Sequence, residues 1–286
     1  MLNKNDLNNI NLIEKSKIGI SVVLYNTSTE DIHNLLNSFK LIQSPYILYI
    51  VDNSLSNDLK IFFDKINNFH YIHNPSNPGF GASHNLAINN SIQAGTDYHF
   101  IVNPDVYFID DVVTPMVEFM DANPLIGMLM PQILNLDGSI QFLPKLLPSP
   151  YSIIMRKLKK PKFLYEKFIN EYELRNIPAE NVYEAPILSG CFTLLKLEAI
   201  KEVGMYDDNF FMYFEDWDLS RRINTKFKTI YFPKVSVYHG YDSGANKNKR
   251  LFKIFINSAL HYFNKWGYVF DNERNKINLK TLSQFR

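Results

Sequence analysis

Apolar residues in the first hundred positions come in short continuous runs, separated by polar segments with helical spacing. The run at 17–25 (KIGISVVLY) is rich in β-branched residues and ends at Asn26-Thr27-Ser28-Thr29, which predicts a buried strand followed by a helix N-cap. Between Asp31 and Phe39 the apolar positions Ile32, Leu35, Leu36 and Phe39 recur at helical spacing. The alternation continues with a strand at 47–51 ending at Asp52-Asn53-Ser54, a short helix at 59–66 and a strand at 70–73. A helix at 83–93 and a strand at 99–102 follow. Strands that alternate with helices predict an α/β fold, a mostly parallel central sheet with helices on its faces. The polar clusters Tyr25-Asn26, Asp52-Asn53 and Asn103-Pro104-Asp105 fall just past strand carboxyl ends, where open α/β sheets bind ligands.

After Asp111 the pattern changes. A helix to Met120 precedes an apolar run at 126–135, an Asp137-Gly138 turn and a partner segment at 139–143, a hairpin-like pair. Residues 144–186 are basic, Pro-containing and weakly periodic, and read as a variable insertion. Regular structure resumes with a strand at 188–195 and a helix at 198–203. Strands at 228–232 and 235–239 and an amphipathic helix at 250–266 close the fold. The expected organisation is a polar extension (1–16), an α/β body (17–245) and a C-terminal helical appendage (246–286).

Composition narrows the function classes. With 286 residues, 46% of them hydrophobic, the chain can bury a sizeable core. A net charge of +1 gives no reason to expect nucleic acid as a partner. Cys191 is the one cysteine, so an internal disulfide and a thiolate metal site are both excluded. The opening MLNKNDLNNINLIEKSK lacks the apolar core of a secretory signal, and no run of about 18 apolar residues predicts a spanning helix. The expected location is cytoplasmic.

Four clusters carry candidate chemistry. Asp105, in Asn103-Pro104-Asp105 after a strand, can hold a metal that bridges phosphate oxygens, although Asn-Pro-Asp is also a common turn. Phe211-Met212-Tyr213-Phe214 leads into Glu215-Asp216-Trp217-Asp218, three carboxylates in four positions. A helix N-terminus and an Asp218–Arg222 pair explain Asp218. They do not explain acids placed directly after an aromatic run, which shields them from water and tunes a carboxylate as a base. His239, at a strand end before Gly240, is either a satisfied structural residue or a metal ligand, and imidazole ligation favours manganese. Asn77-Pro78-Gly79-Phe80-Gly81-Ala82-Ser83-His84-Asn85 fails as a dinucleotide fingerprint, because His84 stands at the third glycine position and the cluster follows the third strand. Gly79 and Gly81 still permit close backbone approach to a ligand, and Asn85 can hydrogen-bond one.

In their order and spacing, VVLYN at 22–26, VDNS at 51–54, the Asn77–Asn85 cluster, Asn103-Pro104-Asp105, LSGC at 188–191, the 211–219 segment and His239 resemble the family-2 inverting glycosyltransferases of GT-A fold. Within that family they resemble the rhamnosyltransferase-like branch, and the likeness covers about residues 17–240. The resemblance implies that Asp52 reads a pyrimidine base, with Tyr25 and Asn26 lining the nucleotide pocket. It places Asn53, Gly79, Gly81, Asn85, Asn103 and Asp105 at the same nucleotide sugar. Asp105 matches the aspartate of an Asp-x-Asp metal motif whose first position is here Asn103, so Asp105 is expected to act with His239 on Mg2+ or Mn2+. Asp216 matches the catalytic base, supported by Glu215. The implied donor is a dTDP- or UDP-linked sugar, with dTDP-L-rhamnose first. The implied acceptor is a saccharide, lipid-diphosphate-linked in bacterial surface-polysaccharide assembly. Inversion implies one in-line displacement with no covalent intermediate.

Two other classes stay open. A nucleotidyltransferase would carry a basic, Gly-rich phosphate loop at the first strand, and residues 21–29 hold neither glycine nor lysine. A sugar-binding module would have no use for Glu215, Asp216 and Asp218 beside a metal site. A basic, aromatic-bearing segment at 156–165 (RKLKKPKFLY) and the helix carrying Arg250, Lys253 and Lys265 read as a solvated loop and a core helix, or as a surface for an anionic membrane. The second reading places the chain on the inner face of the plasma membrane as a peripheral protein.

Overall fold

The computed structural model describes residues 17–66, 68–240 and 248–285, so the polar extension at 1–16 and the end of the α/β body at 241–245 lie outside the described residues. In chain order the first half holds β1 (Ile18–Leu24), α1 (Thr29–Phe39), β2 (Tyr46–Asp52), β3 (Phe69–His73), α2 (Phe80–Ala94), β4 (Tyr98–Val102) and β5 (Val106–Tyr107). The second half holds α3 (Val113–Asp121), β6 (Ile126–Leu134), α4 (Pro150–Leu158), α5 (Lys162–Tyr172), β7 (Tyr183–Glu184), β8 (Phe192–Lys196), α6 (Leu197–Val203), α7 (Glu215–Asn224), β9 (Lys228–His239), α8 (Lys249–Trp266) and α9 (Asn272–Ser283).

Among the described residues one nine-stranded sheet runs β3-β2-β1-β4-β8-β6-β9-β5, with β7 also paired to β9. The first four strands in that order are mutually parallel. β8 enters antiparallel between β4 and β6, while β6 and β9 run parallel. Helices on both faces bury the sheet, so β1 and β4 read as near-continuous apolar runs. α1 starts where Ser28 Oγ accepts the Asp31 N–H at 3.1 Å. The register sets Leu24 beside Asp52, and Asp52 beside His73, so the polar residues after these strands share one edge.

α2 is held to the sheet by a buried polar chain as well as by apolar contact. Ser91 Oγ meets His99 Nδ1 at 2.7 Å, His99 Nε2 meets Ser21 Oγ at 2.8 Å, and Ser21 Oγ meets His84 Nδ1 at 2.7 Å. Gly19 makes room for this chain, since a Cβ there would collide with Ser91. Burial keeps both imidazoles neutral, pulling His99 down to about 3 and His84 well below its ordinary value.

Several elements differ from the sequence reading. Residues 228–239 form one strand instead of two. Pro233 cannot donate a ladder bond, yet the extra residues bulge out, so that β6 pairs Pro131 with Phe232 and then Gln132 with Ser236. The weakly periodic 144–186 segment contains α4 and α5; α4 starts on Pro150 with a reciprocal Ser149–Ser152 cap, which lacks the Glu or Gln of the familiar capping pattern. The helix expected at 59–66 is a 3₁₀ turn at Asp58–Phe62. The partner segment at 139–143 makes one bridge, Leu134 to Ile140, across a turn where Gly138 has φ +82°. Among the described residues no helix is long and apolar enough to cross a membrane.

The histidine chain makes stability depend on pH. Its folded-state pKa values lie below the ordinary 6.5, so its contribution is complete above that value and is lost as pH falls toward about 3. Each imidazole can contribute up to about 1.4 kcal/mol per pH unit in that window. Between pH 7 and pH 5 the urea midpoint of His99→Gln is expected to fall less, relative to its value at pH 7, than that of the wild type. Equal pH dependence in the two proteins would contradict this account.

Candidate active site

The left part of the site is built from the ends of β1 and β2. Asn26 takes the left-handed conformation (φ 49°), and its N–H donates to Ser54 Oγ at 3.0 Å. Tyr25 beside it is exposed. Asn53 N–H donates to Leu24 O at 2.9 Å, and its Nδ2 donates to Ser83 Oγ at 2.7 Å, while its Oδ1 is buried with no partner. Asp52 is buried and accepts the Ser54 N–H at 2.9 Å and the Tyr71 hydroxyl. Burial and the Asp52 carboxylate together push the Tyr71 hydroxyl up.

The Gly79–Asn85 cluster faces protein. Gly79 has φ +109°, and a Cβ there would collide with the Phe211 backbone, whose carbonyl accepts the Phe80 N–H at 2.8 Å. At Gly81 a Cβ would stand 2.8 Å from Tyr206 Cβ. Asn85 Nδ2 donates to Tyr206 O at 2.9 Å and Asp208 Oδ1 at 2.8 Å, and its Oδ1 accepts the Tyr206 N–H at 3.0 Å. The close approach at Gly79 and Gly81 and the hydrogen bonds of Asn85 are thus made to the 206–211 loop.

A second group gathers where β5 pairs with the end of β9. Val106 sits opposite His239, which brings His239 Nε2 to 3.5 Å from Asp105 Oδ1 and 3.4 Å from Asn103 Nδ2. Gln141 orients the ring: its Nε2 donates to His239 O at 2.8 Å, which turns its Oε1 to His239 Nδ1 at 3.1 Å. Nδ1 then carries the proton, and the Nε2 lone pair faces Asn103 and Asp105. Asn103 Oδ1 is buried with no hydrogen-bond partner. Among the described residues no set of three His, Cys, Asp or Glu side chains could hold a metal. The donor set here contains an amide instead. The Asp105 carboxylate and the His239 imidazole are two donor types that suit a divalent cation; Asn103 turns its Nδ2 to His239, so its Oδ1 would join them only with the amide turned over.

The third group starts α7. Tyr213 and Phe214 are both left-handed (φ 70° and 69°), so the chain turns sharply into Glu215 and Asp216. Asp216 Oδ2 accepts the Gly190 N–H at 3.2 Å, and Oδ1 accepts the Trp217 N–H at 2.9 Å. Asn103 N–H donates to Cys191 O at 2.8 Å, so the 190–191 backbone ties the Asp216 group to the Asn103 group. Burial pushes the Cys191 thiol up to about 12, and the charges of Asp105 and Asp216 add to the shift.

Glu215 and Asp216 are adjacent acids with opposite environments. Glu215 is buried, its Oε2 has no partner, and burial followed by the Asp216 charge raises its pKa well above the ordinary value. Asp216 keeps some contact with solvent although protein surrounds it. Burial pushes it up to about 6, against the Gly190 N–H, the Lys145 charge and the Trp217 N–H. The pair therefore holds a neutral Glu215 beside an Asp216 that is ionised at neutral pH.

Lys145 and Gln141 escape the sequence reading. Lys145 is buried, its ammonium donates to Leu143 O at 2.9 Å, and burial draws its pKa down to about 8. The one available signal is a lysine standing alone against the apolar pair Leu146-Leu147. Asp218, by contrast, is structural: it accepts from Arg222 Nε and from Trp266 Nε1, both at 2.8 Å.

A family model, Glycosyl transferase family 2, matches residues 20–204. The N-acetylglucosaminyl-diphospho-decaprenol L-rhamnosyltransferase of Mycobacterium tuberculosis is 27% identical over 146 residues, covering 50% of this chain and 47% of that protein. The chain thus aligns with about half the length of that relative. The low-salt glycan biosynthesis hexosyltransferase Agl10 of Haloferax volcanii is 23% identical over 268 residues, 92% of this chain and 80% of that one. Among solved structures, GalNAc-T7 with UDP, GalNAc and Mn2+ superposes with a TM-score of 0.59 at 15% identity, over 79% of this chain and 44% of that chain. The mostly parallel sheet with flanking helices is the GT-A arrangement expected from the sequence.

The contrast within the acidic pair can be read by infrared spectroscopy. At neutral pH one protonated carboxyl band is expected, lost in Glu215→Gln and retained in Asp216→Asn. Persistence of that band in Glu215→Gln would mean that the proton resides elsewhere.

Proposed function

This chain belongs to glycosyl transferase family 2, and from that premise we propose that it transfers one sugar, with inversion, from a nucleotide-diphosphate donor to an acceptor hydroxyl. The observation that carries the reading is Asp216, an ionised carboxylate at about 6, held by two backbone N–H groups and tied through residues 190–191 to Asn103, Asp105 and His239. Asp216 takes the proton of the acceptor hydroxyl as its oxygen attacks the anomeric carbon. The bond from that carbon to the diphosphate oxygen breaks in the same step, and its electron pair leaves with the diphosphate. Glu215, being neutral, leaves Asp216 as the only charge of the pair.

Tyr25, Asn26, Asp52 and Asn53 supply the edge for the nucleotide, where the unpartnered Asn53 Oδ1 and the exposed Tyr25 ring offer an acceptor and a stacking face. Asp105 and His239 Nε2, joined by Asn103 Oδ1 with its amide turned over, would hold Mg2+ or Mn2+, which supplies positive charge against the departing diphosphate. Gly79, Gly81 and Asn85 serve through the loop they support. The name of the mycobacterial relative favours L-rhamnose as the sugar and a lipid-diphosphate-linked saccharide as acceptor. A UDP-hexose donor is the second reading, favoured by the hexosyltransferase relative and the UDP of GalNAc-T7.

Asp216→Asn is expected to lower kcat by about 10²–10⁴-fold while calorimetry shows nucleotide binding within a few-fold of wild type. Near-normal turnover would move the base to another residue. Asp105→Ala and His239→Ala should each weaken the dependence on added Mg2+ or Mn2+, and full transfer in excess EDTA would refute the cation reading. A panel of dTDP-L-rhamnose and UDP-hexoses, with the product anomer read by NMR, decides donor and stereochemistry together.

A further inference from the structure

Two basic, aromatic-bearing segments nearly a hundred residues apart meet on one face of the molecule. Lys157 Nζ on α4 lies 5.2 Å from the Phe252 ring centre and 4.9 Å from that of Phe255, both on α8. α4 turns Ser152 and Met155 inward and leaves Tyr151, Ile154 and Leu158 exposed along one stripe. At the tip between α4 and α5, Leu158 is 63% exposed and Phe163 71% exposed. Phe252 and Ile256, one turn apart on α8, are exposed as well. Single exposed apolar side chains are ordinary on a protein surface, but six of them on segments that meet through Lys157 mark a place of contact.

The charges around the stripe indicate what it contacts. Lys159, Lys160 and Lys162 at the tip are all exposed, as are Lys249, Arg250 and Lys253 on α8. Glu166 answers this charge on α5, 3.7 Å from Lys162. A second copy of the chain would bring the same lysines against each other, a like-charge juxtaposition that opposes self-association. A bilayer rich in anionic lipid matches both features, since it offers an apolar layer beneath a sheet of phosphates.

We propose that the α4–α5 tip and the outer stripe of α8 dock on an anionic membrane surface, with Leu158, Phe163 and Phe252 entering the interface and the lysines meeting lipid phosphates. The purpose of docking rests on the lipid-linked acceptor proposed above. α4 also carries Arg156, whose guanidinium carbon lies 5.8 Å from the ring centre of Trp217, the residue after Asp216. One short helix therefore spans from the docking face to the base, and an acceptor anchored in the bilayer would arrive beside it.

The test is flotation with two kinds of vesicle, phosphatidylcholine alone and phosphatidylcholine mixed with phosphatidylglycerol. Wild type should float with the mixed vesicles and stay behind with the neutral ones. Removing Lys159, Lys160 and Lys162 by substitution with Ser should cost about fivefold in partitioning for each charge. Leu158→Ser with Phe163→Ser should abolish flotation while transfer to a water-soluble acceptor analogue stays at the wild-type rate, since these side chains already face solvent. Wild type left in the lipid-free fraction, variants that float like wild type, or equal flotation with neutral vesicles would each overturn the proposal. So would a dimer in sedimentation that Phe163→Ser dissociates, which would make the face a self-interface. Flotation as expected without transfer to any acceptor would instead count against the proposed reaction and leave the membrane face standing.

Discussion

The contact between Gly79 and the Phe211 backbone is the constraint on which the rest of the site depends. No side chain fits at position 79, and the Phe80 N–H closes the contact by donating to Phe211 O. Asn85 pins the same loop at Tyr206 and Asp208, and Ser258 Oγ donates to Met212 O at 2.8 Å from the other side. This restraint is needed because Tyr213 and Phe214 are both left-handed, at a cost of about 1–3 kcal/mol each. Burial of Phe210 and Phe214 against Tyr262 and Phe263 offsets that cost, so α8 supports the turn from which Asp216 projects.

α7 shows how environment, more than residue type, separates structure from chemistry. Arg221 is buried and meets Asp271 in a two-point contact at 2.8 and 2.7 Å, with the Trp266 ring 4.2 Å from its guanidinium carbon. Asp218 is equally buried and fully paired. Burying paired ions adds little net stability, but removing one partner costs about 3–5 kcal/mol, so these pairs fix the position of α7 relative to the C-terminal helices. Glu215 has no such partner. An unpaired buried acid in a helix whose Asp218, Arg221 and Arg222 are all matched breaks the local rule, and it stands beside Asp216, which burial pushes up to about 6.

What could be read in the sequence follows from the range of the interactions that form each element. β1, β2 and β4 were legible because parallel strands buried on both faces leave continuous apolar runs. The passage of β8 between β4 and β6 had no such signature, since antiparallel insertion depends on partners 65–98 positions away. Asn103, Asp105, His239 and Asp216 stood out because charged or amide groups at strand and helix ends are local patterns, and the structure gathers them around residues 190–191. Gly79, Gly81 and Asn85 read the same way whether a glycine-opened helix receives a ligand or a loop, and here the loop occupies the place. Gln141 and Lys145 were invisible because their roles exist only after 141–145 packs beside 187–190 and 239.

That packed segment gives the two halves of the site a common mount. Gln141 sets the tautomer of His239, and four residues later Lys145 sets the field at Asp216. The lysine ammonium is turned to the Phe142 and Leu143 carbonyls, and among the described residues no ion pair joins it to Asp216. A direct pair would pull Asp216 back toward the ordinary carboxylate range. It would also fill the hydrogen-bonding position that the proposed reaction assigns to an acceptor hydroxyl. A cation held at a distance avoids both effects: its field favours the ionised carboxylate without taking a place on it. The Phe142 and Leu143 carbonyls thus hold the Lys145 ammonium away from Asp216, whose ionised form the Gly190 N–H and then the Lys145 charge favour.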